Sequence, residues 1–303
     1  ALRTLLCEPY LLDSGSVSVG ASLGVALYPQ DGDAMSLLLR SAELALNSAR
    51  ESGGGSLGSG IGFFNTDLRV AVEHRRRLED DLRLAVTARE LKLVFQPIID
   101  LKSGHLAGAE ALLRWQHAER GFIPPDEFIP LAEQSGLINP IGDWVLETAC
   151  RQTMSWKSMG LGDLRVAVNL SVVQLRNPNF VAQVGNILKR TGIDPGIVEL
   201  EITESAMTTE PDYVIGVLND LKNLGISISI DDFGTEYSSL NRLKMLPADS
   251  LKMGIQFVQG IEKSKKDQAI AVIIVNLAKN LDLKIVAEGV ENRLQLNFLK
   301  NMM

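Results

Sequence analysis

The chain has 303 residues, of which 46% are hydrophobic and 22% are charged, a composition typical of a folded globular protein. Its formal net charge of −7 argues against a sequence-independent grip on a nucleic acid polymer, but it is compatible with a small phosphate ligand held through metal ions. No apolar run approaches the roughly 20 residues that span a bilayer, so membrane contact is expected only through regions outside this sequence.

The two cysteines, Cys7 and Cys150, are too few for a disulfide framework and are typical of a reducing compartment, so we expect a cytoplasmic location. The sequence has no signal peptide and no initiator Met, and it starts in the middle of a pattern. We therefore expect a piece of a longer protein whose N-terminal region can carry sensors or a membrane anchor.

The first 65 residues predict a small domain. Residues 16–28 alternate in the manner of a strand or hairpin, and a turn with Asp33 as a helix cap follows. Residues 34–50 carry apolar side chains on one face and predict a helix. The glycine-rich stretch 53–62 has the composition of a flexible tether.

A connecting helix is predicted over residues 66–89, capped by Asn65, and we place a domain boundary here. Its arginine run, 75–77, has two interpretations: a nucleic-acid patch or a solvated helix face. Acids on both sides of the run favour the solvated face.

From residue 90 onward, short apolar strands alternate with amphipathic helices. Strands are predicted at 94–101, 106–115, 165–171, 197–205, 226–233, 250–254 and 284–291. Such alternation predicts an α/β fold, a TIM-like (β/α)8 barrel with a parallel sheet. The first two strands, joined at residues 102–104, read as a hairpin, so one strand is expected to be antiparallel. The chain ends before a final strand appears.

Polar residues recur near the ends of these strands: Glu110, Asn169, Glu201, Asp231, Asp232, Lys252 and Glu288. The alternation within each strand places them on the face opposite the apolar residues, and barrel sites lie at the C-terminal ends of strands. A single acid of this kind is ordinarily a cap or a surface charge, but the repetition predicts a shared site. Hard oxygen ligands suit Mg²⁺ or Mn²⁺, and the three histidines lack zinc-ligand spacing.

At these residues the chain resembles the EAL-domain cyclic di-GMP phosphodiesterases. The motifs are EALLRW (110–115), NLS (169–171), ELEITES (199–205), DDFGTEYSSL (231–240), LKM (251–253) and AEGVE (287–291). The resemblance covers about residues 80–300 and implies a barrel, placed at residues 90–303, that hydrolyses one phosphodiester of cyclic di-GMP to linear pGpG, in bacterial second-messenger signalling. It also implies two Mg²⁺ or Mn²⁺ ions and a homodimer formed through residues 233–240 and the helix after them.

The resemblance further implies a role for each matching residue. Metal ligands would be Glu110, Asn169, Glu201, Asp231, Asp232 and Glu288. Glu288, Lys252 and Asp232 would act in catalysis, with Lys252 on the attacking water and the proton acceptor left open between Glu288 and Lys252. Substrate contacts would come from Arg114, Glu291, Gln96 and Leu113. Glu204 would anchor the loop after Asp232.

The first 65 residues resemble the C-terminal half of a GGDEF domain, through ASLGVALYPQDGD (21–33) and LLLRSAELALNSARESG (37–53). The signature loop of that family does not occur in this sequence, and Ala49-Arg50 replaces its usual Ala-Lys. Cyclase activity is therefore not expected of this chain.

Two departures from the EAL pattern keep an alternative open. Glu236 stands where the family usually has Gly, and Gly254 replaces an Asp. The late glutamine motif of the family, which contacts substrate, is expected beyond residue 303. The alternative is a catalytically weak or inactive cyclic di-GMP receptor. A third interpretation is a barrel hydrolase for an unrelated phosphoester.

Overall fold

A computed structural model describes residues 5–13, 15–52, 60–207, 210–234 and 240–302. The chain divides into two compact units, Ala1–Asp81 and Leu82–Met303. Within the described part, none of the helices combines the length and apolar character that a membrane crossing requires.

In the described residues of the first unit, four short strands and a long helix precede the connecting helix. They are β1 (Tyr10–Leu12), β2 (Gly15–Val17), β3 (Leu23–Val25), α1 (Met35–Ser52) and β4 (Ile61–Phe63). β3 and β4 pair in parallel across α1. A Cβ at Gly24 would lie 2.0 Å from the Ala42 carbonyl oxygen, and one at Gly62 would lie 2.1 Å from that of Ala45. Both strands therefore rest directly on the helix, which only glycine allows.

Two predictions for this unit are wrong in part. Residues 16–28 do not form a hairpin: β2 pairs with β1, and β3 pairs with β4. The predicted tether ends in strand β4, and its residues 53–59 lie outside the described residues. The helix predicted at 34–50 is confirmed as α1.

The predicted connecting helix is present as α2 (Thr66–Ala85) and ends four residues early. The Asn65 cap is confirmed, since its side-chain oxygen accepts a hydrogen bond from the Leu68 N–H at 2.8 Å. Arg89 takes a left-handed conformation with φ of 58°, which a helix cannot continue through.

The second unit is an α/β half-barrel. Its strands are β5 (Leu91–Ile99), β6 (Leu106–His117), β7 (Gly121–Ile123), β8 (Arg165–Asn169), β9 (Val198–Thr203), β10 (Ser227–Phe233), β11 (Ser250–Met253) and β12 (Lys284–Ala287). Its helices are α3 (Pro125–Gln134), α4 (Ile138–Ser158), α5 (Val172–Leu175), α6 (Phe180–Thr191), α7 (Pro211–Asn223), α8 (Leu240–Met245), α9 (Ile255–Gly260), α10 (Lys265–Asn280) and α11 (Arg293–Met302).

The sheet runs in the order β12-β11-β10-β9-β8-β6-β5, with β7 paired to β6. All neighbours from β6 to β12 on this path are parallel, while β5 and β7 are both antiparallel to β6. One antiparallel strand was predicted, and β7 is the second. Among the described residues no pairing joins β12 to β5, so the sheet is open.

Apolar packing holds the sheet against its helices on one face. Ile230, Leu251 and Met253 belong to one buried cluster with residues of α10 and α11, Ile274 and Leu299 among them. Each such fully buried side chain contributes about 1.5–3 kcal/mol. In strands β6 to β12, the side chains that alternate with the apolar ones therefore face the interior of the curved sheet. The C-terminal ends of these strands meet at one edge of the sheet.

Candidate functional site

The ammonium group of Lys252 lies at the centre of the site. Its Nζ atom is 2.6 Å from Glu288 Oε1, 2.9 Å from Glu201 Oε2, 3.1 Å from Glu110 Oε2 and 3.2 Å from Asp231 Oδ1. These four carboxylates come from the β6, β9, β10 and β12 regions. Lys252 is only 2% exposed, so the ion pairs are shielded from water. The Lys252 ammonium thus links Glu110 with Glu288, which are 178 positions apart in the sequence.

A β-bulge brings two consecutive aspartates to this centre. The pairing of β10 with β11 is regular up to Ile230 and resumes at Phe233, so Asp231 and Asp232 together lie opposite Lys252. Asp232 has φ of 52°, and its N–H donates to Asp231 Oδ1 at 2.9 Å. In an unbroken strand the two side chains would point to opposite faces. The extra residue and the left-handed conformation remove that restriction.

Glu110 and Asn169 complete the cluster on β6 and β8. The Asn169 amide Nδ2 donates to Glu110 Oε1 at 2.8 Å, and the second carboxylate oxygen of Glu110 accepts from Lys252. Asn169 is the register partner of Glu201 on β9. The structure therefore brings together all seven polar residues that the strand ends predicted, although Asp232 is exposed while Glu201 is 1% exposed.

The cluster carries more negative charge than Lys252 can neutralise. Burial is the main cause that raises the pKa of Glu201 to about 9, with Lys252 opposing the rise and Glu110 adding to it. Burial likewise raises the pKa of Asp232 and of Glu288. The surrounding carboxylates raise the pKa of Lys252 despite its burial. An added cation would relieve this repulsion.

The donor set fits a divalent cation. One carboxylate oxygen from each of Asp231, Asp232 and Glu288 lies within 4.8 Å of the others. Carboxylate and amide oxygens are the ligands of hard cations. This acidic cluster can therefore hold a metal ion.

Glu204 lies beside this centre, in the one-turn helix Glu204–Met207 that follows β9. Its Oε2 atom accepts a hydrogen bond from the Gly234 N–H at 3.3 Å. Gly234 has φ of 92°, and a Cβ there would lie 2.9 Å from Cε2 of Phe257. The backbone two residues after Asp232 is thus held between a carboxylate and an aromatic ring.

The residues matched to substrate contacts are less tightly grouped. Gln96 is exposed and is the antiparallel partner of Glu110. Arg114 donates from Nη1 to the carbonyl oxygen of Leu113 at 2.8 Å. Glu291 is exposed, three residues after Glu288. Among the described residues, the one hydrogen bond that joins members of this group is that from Arg114 to the backbone of Leu113.

The hydrogen bonds of Ser171, two residues after Asn169, were not predicted from the sequence. Ser171 caps α5, accepting from the Val173 N–H, and its own N–H donates to Gln174 Oε1. The Ser171 hydroxyl also donates to Glu133 Oε1 at 2.6 Å. Ser-x-x-Gln is a capping-box pattern, so this helix start was readable from the sequence. The contact with Glu133, 38 residues away, was not.

Of the two departures from the EAL pattern, the structure describes Gly254 but not Glu236. Gly254 lies at the N-cap of α9, which therefore has no side-chain cap. Glu236 and most of the predicted dimer loop lie outside the described residues.

A half-barrel of parallel strands with an acidic, lysine-centred cluster at its C-terminal edge defines a class of enzyme-like α/β domains. Residues 79–303 match the EAL domain family, and the chain belongs to that family.

Two proteins of Pseudomonas aeruginosa are similar to nearly the whole chain. "Bifunctional diguanylate cyclase/cyclic di-GMP phosphodiesterase MucR" is 41% identical over 98% of this chain and 43% of its own length. "Cyclic di-GMP phosphodiesterase NbdA" is 42% identical over 97% of this chain and 37% of its own length. The chain thus spans less than half the length of these relatives.

A solved structure described as "PaMucR Phosphodiesterase, c-di-GMP complex" superposes with a TM-score of 0.71. It is 45% identical and covers 75% of this chain and 92% of the solved one. The similarity in fold therefore extends over nearly all of that structure.

Proposed function

We propose that this chain is a metal-dependent phosphodiesterase that hydrolyses cyclic di-GMP to linear pGpG. The observation that carries the proposal is the convergence of five carboxylates, Asn169 and a buried lysine on one edge of the sheet. The names of MucR and NbdA, and the cyclic di-GMP complex of the similar solved structure, supply the substrate.

The cofactors we propose are two Mg²⁺ or Mn²⁺ ions. Glu110, Asn169, Glu201 and Asp231 would hold one of them, and Asp231 would share the second with Asp232 and Glu288. Bound divalent ions supply positive charge that lowers the pKa of water and offsets the charge developing on the phosphoryl oxygens.

The rest of the reaction is assigned to side chains. Lys252 stays charged at neutral pH because its carboxylate neighbours raise its pKa, so it donates hydrogen bonds and orients the attacking water. Glu288 is more open, with 28% of its side chain exposed, and its carboxylate would accept the proton of that water.

The bond changes follow from the product. The water oxygen bonds to phosphorus as the P–O3′ bond of one phosphodiester breaks, and the 3′ oxygen takes up a proton. Arg114 would grip a substrate phosphate, while Gln96, Leu113 and Glu291 would line the nucleotide. Glu204 would hold the loop that begins at Gly234, through the contact described above.

A second candidate, a cyclic di-GMP receptor without turnover, is favoured only by Gly254 and Glu236. Incubation with cyclic di-GMP and Mn²⁺ or Mg²⁺, followed by chromatography, separates the two. We expect pGpG to accumulate with the parent chain and not with Glu110→Ala or in EDTA. Tight binding without pGpG would defeat the phosphodiesterase and establish the receptor.

We also propose a domain organisation: a GGDEF-like part at residues 1–65, a connecting helix at 66–89 and the EAL barrel at 90–303. The parallel pair β3–β4 with α1 between its strands supports the first part, as does the two-activity name of MucR. A homodimer through residues 233–240 is proposed by resemblance. The free thiols of Cys7 and Cys150 support a cytoplasmic location.

A further inference from the structure

The segment from Glu288 to Glu291 connects β12 to α11. Its first residue lies in the centre of the site, with Oε1 2.6 Å from Lys252 Nζ. Its last residue is the exposed Glu291, matched above to a substrate contact. Whatever fixes this four-residue backbone therefore fixes the position of both side chains.

The described hydrogen bonds hold the segment at its two ends. The Glu288 N–H donates to the Met253 carbonyl oxygen at 3.3 Å, next to Lys252. The Glu291 N–H donates to the side-chain Oε1 of Gln295 at 2.7 Å. Between them Gly289 has φ of 67°, and a Cβ there would lie 2.3 Å from Cγ1 of Ile255. The shorter hydrogen bond is thus the one made by Gln295.

Gln295 is not explained by ordinary helix capping. It is the third residue of α11 and is 3% exposed. The cap of this helix is Asn292, whose Oδ1 accepts from the N–H groups of Leu294 at 2.9 Å and Gln295 at 3.0 Å. In a capping box the third residue's side chain would bond the N–H of the cap residue itself. Here it reaches one residue further back, to Glu291.

Burying a side-chain amide without a hydrogen-bond partner costs free energy, so a glutamine that served only for apolar packing would destabilise the fold. We propose that Gln295 is a positioning residue of the phosphodiesterase site. It holds the Glu291 backbone and, through the four-residue segment, sets the direction of Glu288 toward Lys252 and the metal. This inference rests on the proposed function for its catalytic consequence, but not for its structural content.

The experiment compares three variants of the full chain. Gln295→Met keeps the length of the side chain and removes the acceptor. Gln295→Glu retains an acceptor oxygen at the same distance. Asn292→Ala removes the cap of α11 and the hydrogen bond from the Asn292 amide to Glu262, and it keeps both partners of the Gln295–Glu291 hydrogen bond. All three are measured for thermal unfolding, hydrogen exchange, Mn²⁺ affinity and turnover.

We expect Gln295→Met to speed amide exchange in peptides covering residues 287–292, and to weaken Mn²⁺ binding roughly 10-fold, as removal of a supporting contact typically does. Its kcat should fall more than its KM rises, since Glu288 acts on the reacting atoms. Gln295→Glu should restore exchange and Mn²⁺ affinity to within about 2-fold of the parent. Asn292→Ala should lower Tm without changing Mn²⁺ affinity.

Equal effects of Gln295→Met and Asn292→Ala on exchange and on Mn²⁺ affinity would overturn the proposal, because both would then act through helix stability alone. Unchanged exchange at residues 287–292 in Gln295→Met would also overturn it. If the parent chain forms no pGpG while the exchange difference is present, the phosphodiesterase proposal fails and the positioning of this segment by Gln295 stands.

Discussion

Glu201→Gln should make the metal-free barrel more stable while weakening its hold on metal. Glu201 is 1% exposed, and its surroundings raise its pKa from 4.5 to about 9. At pH 7 the folded chain therefore holds a proton on Glu201 that the unfolded chain releases. The 2.5 pH units between 4.5 and 7, at about 1.4 kcal/mol each, correspond to a cost of about 3 kcal/mol.

The direction of the pKa shift of Glu201 determines how the stability of the fold depends on pH. A carboxyl whose folded pKa is raised supports the fold below its unfolded pKa, and this support is lost as pH rises from 4.5 toward 9. Asp232 and Glu288 have raised pKa values and act in the same direction. Lys252 does not titrate in this window, because its pKa is raised from 10.5. Stability in EDTA should thus fall between pH 5 and pH 8, and less so in Glu201→Gln.

Urea unfolding in EDTA, followed by tryptophan fluorescence, measures this directly, since all three tryptophans lie in the second unit. Glu199→Gln is the matched control. It is two residues earlier in β9 and 3% exposed, but its carboxylate pairs with Arg165 Nη1 at 2.8 Å. Glu199→Gln should destabilise the barrel, because the half-buried guanidinium of Arg165 then loses its carboxylate partner.

Glu201→Gln should gain up to about 3 kcal/mol at pH 7, or roughly 6–12 °C in Tm, and should bind Mn²⁺ at least 10-fold more weakly. A loss of stability in EDTA at pH 7, or a parent stability that does not fall from pH 5 to pH 8, would refute the reasoning.

Three further substitutions test other parts of the site. Glu110→Ala should abolish pGpG formation and leave Tm within a few degrees, because it removes a metal ligand and no core packing; undiminished turnover would show that the site is misplaced. Gly234→Ala should cost about 1–3 kcal/mol and lower turnover, because φ is 92° and the new Cβ would lie 2.9 Å from Phe257. Gly216→Ala, in the open middle of α7, is its control and should stabilise by about 0.5–1 kcal/mol; equal effects on unfolding would argue against backbone strain at Gly234. Gly254→Asp should add about 0.5–1 kcal/mol by capping α9, measured by urea unfolding, and no gain would mean that the new carboxylate is drawn elsewhere.

The positions of the acids in the site were predictable because barrel geometry turns sequence spacing into spatial convergence. Asn169 is the last residue of β8, Glu201 is the fourth of six in β9, and Glu110 is the fifth of twelve in β6, near the end of the part that pairs in parallel with β8. All three lie on the predicted face, which alternation alone assigns. Most strands of the second unit were predicted to within a few residues for the same reason.

What the sequence could not specify depends on contacts between distant residues or on local backbone angles. The left-handed conformation of Asp232 has no signature in a strand pattern that alternates cleanly up to Asp231. Strand β7 has three residues, too few to show a period. In the first unit, pairing β3 with β4 instead of β2 depends on Gly24 and Gly62 fitting against α1.

The irregularity in β10 has a consequence for how this strand can vary. Ile230 and Phe233 are three residues apart, yet both lie in the same buried cluster behind the sheet. A plain strand would turn them in opposite directions, so the phase of the strand shifts by one between them. Deleting either aspartate would restore the plain phase but leave one carboxylate in place of two. The number of residues between Ile230 and Phe233 is therefore as tightly constrained as the apolar character of these two side chains.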